Sequence, residues 1–291
     1  MEKNISASYG GVNSTVGELL VNRLIPNRYI QAVGPFIFLD HLYPVVQTPG
    51  KPHPPKGDFA HPHRGITTLS YVFSGGLEHF DSRGHHGIVS EGGLQWMKAG
   101  NGIIHDEQIS PALREKGGTL HALQFWINLP AADKAGDPEY MALPSEQVPE
   151  IRLPDQAGAI RILVGELGDK VSPLKTFTRQ FLYHIKLRPK STFTLDALPG
   201  MEYAAFIPDS EVSISGTKYG NSELVVFGDE GTAITLSSTC ITGSDLLLFG
   251  GEPYSEPIVA QGPFVMNTHA EISLAYKDFF NGKYGVIDYN A

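Results

Sequence analysis

The chain has 291 residues, of which 41% are hydrophobic and 18% are charged, so it carries enough apolar material for a folded core and wholesale disorder is excluded. Its formal net charge is −9, from 22 basic and 31 acidic residues, and this balance argues against a broad nucleic-acid-binding surface. The single cysteine, Cys240, excludes an intrachain disulfide and a thiolate zinc finger.

The N-terminus lacks the apolar stretch of a signal peptide, and no apolar run approaches the ~20 residues of a membrane span. We therefore expect a cytoplasmic protein without a membrane segment. The 32 glycines and 21 prolines indicate many tight turns, which favours an all-β fold.

The predicted strands have alternating apolar residues or a high content of β-branched and aromatic residues. Helical periodicity is weak, and the best helix lies near the end, over Glu271–Phe280, with Asn267 or Thr268 as its cap. In chain order, strands are predicted at Phe36–Leu39, Thr67–Phe73, Leu94–Lys98, Leu120–Leu129, Ile160–Val164, Phe181–Leu187, Glu202–Ile207, Ser222–Phe227, Thr232–Ser237 and Asp245–Phe249.

The length predicts two domains, at about 150 residues each. Residues 131–158 contain several prolines among acidic residues and few paired apolar positions, so we interpret them as a connector. The predicted domains are 1–130 and 159–291, each a β-barrel or sandwich, and the C-terminal helix is assigned to the second.

Nine of the eleven histidines precede residue 122, which places any imidazole chemistry in the first domain. Two short patterns matter most, His61-Pro62-His63 and His105-Asp106-Glu107. Residues i and i+2 of a strand point to the same side, so each pattern puts two metal-binding side chains on one face. If the segments are neighbours, three imidazoles and one carboxylate converge, a set that suits Fe(II), Mn(II), Co(II), Ni(II), Cu(II) or Zn(II). The alternative is a set of exposed histidines without a metal.

These residues resemble the pirin family of the cupin superfamily. The resemblance spans almost the whole chain. It rests mainly on His61-Pro62-His63-Arg64-Gly65-Ile66, Gln95-Trp96-Met97-Lys98-Ala99-Gly100, Gly102-Ile103-Ile104-His105-Asp106-Glu107 and Gly262-Pro263-Phe264-Val265-Met266-Asn267-Thr268.

The resemblance implies two stacked cupin barrels, of the double-stranded β-helix or jelly-roll type, with metal only in the first. It implies one ion, in most members iron, with His61, His63, His105 and Glu107 as ligands. Many cupins carry a glutamate where this chain has Thr67, but Glu107 supplies the carboxylate here.

Several family members cleave flavonols such as quercetin with dioxygen and release carbon monoxide, so the resemblance implies a small phenolic substrate. Glu107 is then the catalytic base, since it is the one ligand that could accept the 3-hydroxyl proton. An alternative function is an iron-containing regulator that binds a transcription factor or an enzyme without catalysis. A metal-dependent isomerase or hydrolase is a third possibility, because a fold does not determine a reaction.

Motif membership makes four residues candidates for orienting the imidazoles: Arg64, His79, Asp81 and Gln95. For His79 and Asp81 a turn-stabilising role is favoured, and Arg64 is also expected in a structural ion pair. His85, His86 and His53 are interpreted as loop histidines. Three aromatic residues are candidates for the pocket wall: Phe36, Phe125 and Trp126.

Overall fold

The computed structural model describes residues 1–16, 19–51 and 54–290, so His53 lies outside the described residues. Strands dominate, which confirms the all-β prediction, and each of the ten predicted runs coincides with a strand. The strands are β1 (Ile5–Gly10), β2 (Val12–Val16), β3 (Leu19–Ile25), β4 (Phe36–Gln47), β5 (His61–His63), β6 (Ile66–Ser74), β7 (Gly76–Asp81), β8 (His86–Ser90), β9 (Leu94–Lys98), β10 (Ile103–Ile109), β11 (Gly118–Asn128), β12 (Glu139–Leu143), β13 (Glu150–Arg152), β14 (Gly158–Val164), β15 (Glu166–Leu167), β16 (Lys170–Val171), β17 (Gln180–Leu187), β18 (Thr192–Asp196), β19 (Glu202–Ile207), β20 (Val212–Ile214), β21 (Thr217–Tyr219), β22 (Glu223–Phe227), β23 (Ala233–Ser237), β24 (Ser244–Gly251), β25 (Val259–Gln261) and β26 (Phe264–Met266).

The described residues contain two α-helices, α1 (Pro111–Lys116) and α2 (His269–Phe280), and the second confirms the predicted C-terminal helix. Thr268 is its N-cap and accepts a hydrogen bond from the backbone N–H of Glu271 at 3.2 Å. The Glu271 carboxylate accepts a hydrogen bond from the backbone N–H of Asn267 at 3.1 Å, so the side chains of Thr268 and Glu271 satisfy two donors at the start of the helix. Neither described helix is both long and apolar enough to span a bilayer.

The chain forms two compact units, and their composition differs from the predicted boundaries. Unit 1 contains Met1–Asn13, Asn22–Phe38 and Val148–Tyr254, and unit 2 contains Ser14–Val21, Leu39–Gln147 and Ser255–Ala291. Each terminal segment therefore belongs to the unit built mainly from the other half of the chain.

Strand pairing and apolar packing explain this exchange. At the N-terminus, β1 pairs with β22 and so becomes the edge strand of the seven-stranded sheet of unit 1. At the other end, Ile272 and Ala275 of α2 pack on Phe264 and Tyr284, and Ile104 of β10 packs against the same cluster. Helix α2 thus buries its apolar face in unit 2, not in the second predicted domain.

The predicted connector, residues 131–158, also contributes to both units. Strand β12 pairs with β9, and β13 pairs with β14. Each lies at the edge of its sheet, where the neighbouring prolines remove no ladder hydrogen bond. The proline content that suggested a connector therefore marks two edge strands.

Unit 2 carries the candidate site between two sheets. We call the one with strand order β12-β9-β6-β11-β4-β3-β2 the large sheet and the one with order β5-β10-β7-β8 the small sheet. An apolar cluster joins them, with Val72 and Ala122 from the large sheet and Leu77 and Val89 from the small sheet. Two residues further along these strands, Ser70, Gln124 and His79 replace the apolar side chains, so the polar site directly adjoins this cluster.

Unit 1 has a sheet of order β1-β22-β19-β24-β17-β14-β13 and a second of order β18-β23-β20-β21. Their inner faces form an apolar core that includes Ile185, Ala205, Val225 and Leu248. This unit contains the predicted strands of the second half of the chain.

Gly65, directly after the predicted ligand pair, tests how closely the chain packs there. Its φ is +82°, and an added Cβ would lie 2.0 Å from the Val265 carbonyl oxygen. We predict that Gly65→Ala destabilises the protein by more than about 3 kcal/mol, from left-handed strain of about 1–2 kcal/mol plus overpacking. Gly84→Ala is the matched control, because φ is +84° there and nothing lies within 4 Å of the added Cβ. Thermal unfolding of both variants checks this, and equal losses would contradict it.

Candidate metal centre

Strand register brings the two predicted patterns together. Strand β10 lies between β5 and β7 in the small sheet. His105 is paired directly with His61, and Ile103 with His63. Because opposite residues in an antiparallel pair share a face, His61, His63 and His105 point to the same side of the sheet.

The three imidazoles converge closely enough to hold one ion. One nitrogen atom from each of His61, His63 and His105 lies within 4.8 Å of the others. The ring centroids are 4.4 to 5.0 Å apart. Among the residues for which a placement is given, these three form the group of histidine, cysteine or carboxylate donors whose atoms converge closely enough to hold an ion.

Hydrogen bonds select the tautomers of two of these rings. The Nδ1 atom of His61 donates to the Phe59 carbonyl at 2.7 Å, and that of His63 donates to the Pro263 carbonyl at 3.2 Å. A carbonyl only accepts, so both rings carry their hydrogen on Nδ1 and keep the Nε2 lone pair for a ligand.

Two further observations show that the cluster fits a metal ion. The Nε2 atom of His63 is buried without a hydrogen-bond partner, and an unsatisfied buried nitrogen is costly unless something binds it. The Nε2 atoms of His61 and His105 face each other at 3.0 Å, as two ligands of one ion do.

The surroundings of His63 and His105 keep these two imidazoles neutral. Burial, followed by the neighbouring imidazoles, holds the pKa of His63 and of His105 well below the ordinary histidine value. Neutral imidazole is the form that binds transition metals. His61 is only partly buried, so it marks the open side of the cluster.

Glu107, the fourth predicted ligand, lies on the same face of β10 as His105 but outside the group of three converging donors. Side chains of the large sheet hold its carboxylate. One oxygen accepts from the Ser70 hydroxyl at 2.7 Å and from the Gln95 amide at 3.3 Å, and the other accepts from the Gln124 amide at 2.6 Å. Of these three donors, the sequence indicated only Gln95.

The other candidates for orienting the imidazoles have different partners. His79 bonds to Asp81 at 3.1 Å, and Asp81 accepts the backbone N–H groups of Arg83 and His85, so the pair stabilises the turn. These bonds outweigh the effect of burial and hold the pKa of Asp81 below its ordinary value.

Arg64 forms the expected structural ion pair, with Asp278 of α2 at 2.8 Å. The groups that orient His61 and His63 are therefore backbone carbonyls, which no side-chain motif identifies. Of the predicted loop histidines, His85 is partly buried and also bonds to Asp81 at 2.9 Å. The prediction was wrong for His86, which is exposed but begins strand β8, where its ring bonds to Glu78 at 2.9 Å.

One of the three aromatic candidates lies at the site. The Trp126 ring contacts the His63 ring at 5.0 Å between centroids. Phe125 is its neighbour in β11 and points to the opposite face of the sheet. Phe36 belongs to unit 1 and packs on Phe249.

A second pair of buried histidines was not indicated by any motif. The Nε2 atoms of His41 in β4 and His121 in β11 are 2.8 Å apart. Burial, followed by the charge of His121, lowers the pKa of His41 to about 3. This pair supplies two donors, too few for the convergence seen at His61, His63 and His105.

Comparisons with known proteins agree with this architecture. A family model described as pirin matches residues 18–127, and one described as pirin C-terminal cupin domain matches residues 182–285. The crystal structure of a quercetin 2,3-dioxygenase from Acinetobacter baumannii is 30% identical, with a TM-score of 0.91 over 99% of this chain and 100% of that chain. These matches confirm the family resemblance and the cupin fold.

Two relatives show the range of names among similar sequences. A Pseudomonas aeruginosa protein, named provisionally as a quercetin 2,3-dioxygenase, is 33% identical over 258 residues, which cover 89% of each chain. Human pirin is 35% identical over 282 residues, which cover 91% of this chain and 88% of that protein.

Metal binding should depend on the buried imidazoles. We predict that a divalent transition metal raises the unfolding free energy by about 2.7 kcal/mol at a free concentration of 100 times Kd, because it binds only the folded site. His63→Ala should lose this increase and the bound metal. His86→Ala, an exposed histidine of the same small sheet, should retain both. Elemental analysis and calorimetry check this, and full metal content in His63→Ala would refute it.

The His41 pair predicts a pH dependence of stability. The unfolded chain protonates His41 near pH 6.5, whereas the folded protein does so only near its lowered pKa of about 3. The unfolded state therefore binds more protons between these values, and stability falls as the pH drops below 6.5.

In His41→Gln this contribution, at most about 1.4 kcal/mol per pH unit, should disappear. His269→Gln, at an exposed position, should keep the wild-type slope. Denaturant unfolding between pH 7 and pH 4.5 measures both slopes, and parallel lines for wild type and His41→Gln would disprove the assignment.

Proposed function

Because the chain belongs to the pirin family, we propose that it is a metal-dependent dioxygenase of the quercetin 2,3-dioxygenase type, acting on a flavonol-like substrate with dioxygen. The observation that carries the proposal is the convergence of His61, His63 and His105, the last two buried, beside an anchored carboxylate. The similarity to the Acinetobacter baumannii enzyme, at 30% identity over nearly the whole chain, supports it.

The three imidazoles would hold the ion through ring nitrogens, and the family resemblance adds Glu107 as a fourth ligand. We propose Fe(II) as the native metal. The same donors suit Mn(II), Ni(II), Co(II), Cu(II) and Zn(II), so the ligand set alone does not select among them. When bound, the ion would supply a Lewis-acidic centre that favours the deprotonated phenol and its reaction with dioxygen.

The protein's own residues would bind and orient the phenol and take its proton. The Glu107 carboxylate of the small sheet is hydrogen-bonded to side chains of the large sheet, and we assign it the proton of the 3-hydroxyl group. Trp126, which contacts His63, offers an aromatic wall beside the ring nitrogens.

Oxygen uptake with quercetin tests this function. Protein loaded in turn with iron, manganese, cobalt, nickel and copper should consume dioxygen and release carbon monoxide in at least one form. Glu107→Gln should keep its metal and its fold but lose at least about 100-fold in turnover, the lower range for loss of a general base. Glu115→Gln, at an exposed position of α1, should retain wild-type turnover.

Full activity in Glu107→Gln would remove Glu107 from the mechanism. No turnover in any metal-loaded form, with the metal content intact, would contradict the dioxygenase proposal. That result would favour the regulatory function, in which the same metal centre serves a protein partner.

A further inference from the structure

Three neighbouring strands of the large sheet direct polar side chains to Glu107. Ser70 of β6 is paired with Gln95 of β9 on one side and with Gln124 of β11 on the other. Directly paired residues share a face of the sheet, so the three form one row across it. We call Gln95, Ser70 and Gln124 the donor row.

The donor row occupies both oxygens of the carboxylate. Ser70 and Gln95 donate to one oxygen at 2.7 and 3.3 Å, and Gln124 donates to the other at 2.6 Å. Such bonds to an ionised group are among the strongest in proteins. With donors on both oxygens, rotation about the terminal bond of Glu107 breaks at least one bond.

Burying the polar side chains of the donor row has an energetic cost, which their hydrogen bonds to Glu107 help to offset. Ser70 and Gln95 are buried, with 3% of their surface exposed, and the strands around them are apolar. A buried amide or hydroxyl destabilises a protein unless it is hydrogen-bonded. The carboxylate is the acceptor that the Ser70 hydroxyl and both amides share.

Tyr140 of β12 determines which end of the Gln95 amide faces Glu107. Its hydroxyl donates to the Gln95 carbonyl oxygen at 2.9 Å. Burial, followed by the charges of Glu107 and Asp81, raises the Tyr140 pKa, so the phenol stays protonated and donates. The Tyr140 ring is stacked on His79 with centroids 4.1 Å apart, which fixes its position.

We propose that Gln95, Ser70 and Gln124 are positioning residues that fix the Glu107 carboxylate on the site-facing side of β10, and that Tyr140 acts on Glu107 only by orienting the Gln95 amide. The placement of the carboxylate follows from these contacts alone. Its consequence for catalysis rests on the proposed function, in which Glu107 takes the substrate proton.

Replacing donors with methionine tests the row, because methionine keeps the length of glutamine without the amide. In Gln95→Met and Gln124→Met we expect kcat to fall by about 10- to 100-fold, as for a misplaced catalytic group, with KM changed less than about 3-fold. Metal content should stay at the wild-type level. Gln108→Met, on the opposite face of β10, is the matched control and should leave kcat unchanged. A kcat within 2-fold of wild type in both row variants would overturn the proposal.

Crystal structures of the metal-free protein separate this proposal from the proposed function. In Gln124→Met and in the Gln95→Met/Gln124→Met double variant, we expect the Glu107 carboxylate to be displaced or spread over several conformers. This readout needs neither metal nor substrate, and the single variant suffices if the double variant does not fold. A carboxylate in its wild-type position would overturn the donor row even if flavonols are cleaved.

Tyr140→Phe tests the orienting role, because it removes the hydroxyl and keeps the stacked ring. We expect kcat to fall about 3- to 10-fold, since the Gln95 carbonyl then loses its donor and the amide is held less firmly against Glu107. In the Gln95→Met background the same change should have no further effect, because Tyr140 acts through Gln95. Independent, multiplying effects of the two substitutions would show that Tyr140 acts by another route.

Discussion

The antiparallel register between β5 and β10 is the constraint on which the candidate metal centre depends. It places His61 opposite His105, and the two-residue period of a strand then adds His63 to the same face. A slip of β5 by one residue would turn Pro62 inward and the imidazoles of His61 and His63 outward. Because β10 is paired on both sides, with β5 and β7, the register is held from two directions.

In unit 2, backbone groups hold the imidazoles of the candidate site, and side chains hold the carboxylate of Glu107. Backbone carbonyls of Phe59 and Pro263 hold the Nδ1 hydrogens of two imidazoles, which leaves ring nitrogens free to bind an ion. Side chains of the opposite sheet hold the carboxylate of Glu107. The imidazoles are thus fixed by backbone groups of neighbouring loops, whereas the carboxylate is fixed by side chains of the facing large sheet. Neither arrangement uses a buried charged pair, so the site avoids the large desolvation cost of two opposed ions.

Sequence periodicity predicted ten of the 26 strands in the described residues, and the two-residue period of a strand predicted which face the histidines share. The convergence of the three imidazoles also needed the pairing of β5 with β10, which the sequence allowed only as a condition. Periodicity failed where the decisive contact is made across the fold. Ser70 and Gln124 stand in apolar strands with no local sign that their partner is Glu107. Polar residues at inward positions of buried strands are the signal that was available, since each of them must find a partner. Tyr140 was assigned to the connector because prolines flank β12, although an edge strand tolerates them.

The last part of the chain explains why the predicted domain boundaries were least accurate. The Pro263 carbonyl selects the tautomer of His63, 200 positions earlier in the sequence. The backbone N–H of Val265 then donates to the Arg64 carbonyl at 3.1 Å, and the Lys134 ammonium bridges the carbonyls of Gly65 and Val265. These contacts fix the short strand β5, whose three residues form pairs with β10 alone. A three-residue strand forms few ladder hydrogen bonds, so the position of β5 also depends on its contacts with the segment after β25. Residues far from the histidine pattern are therefore part of the same unit as the candidate metal centre.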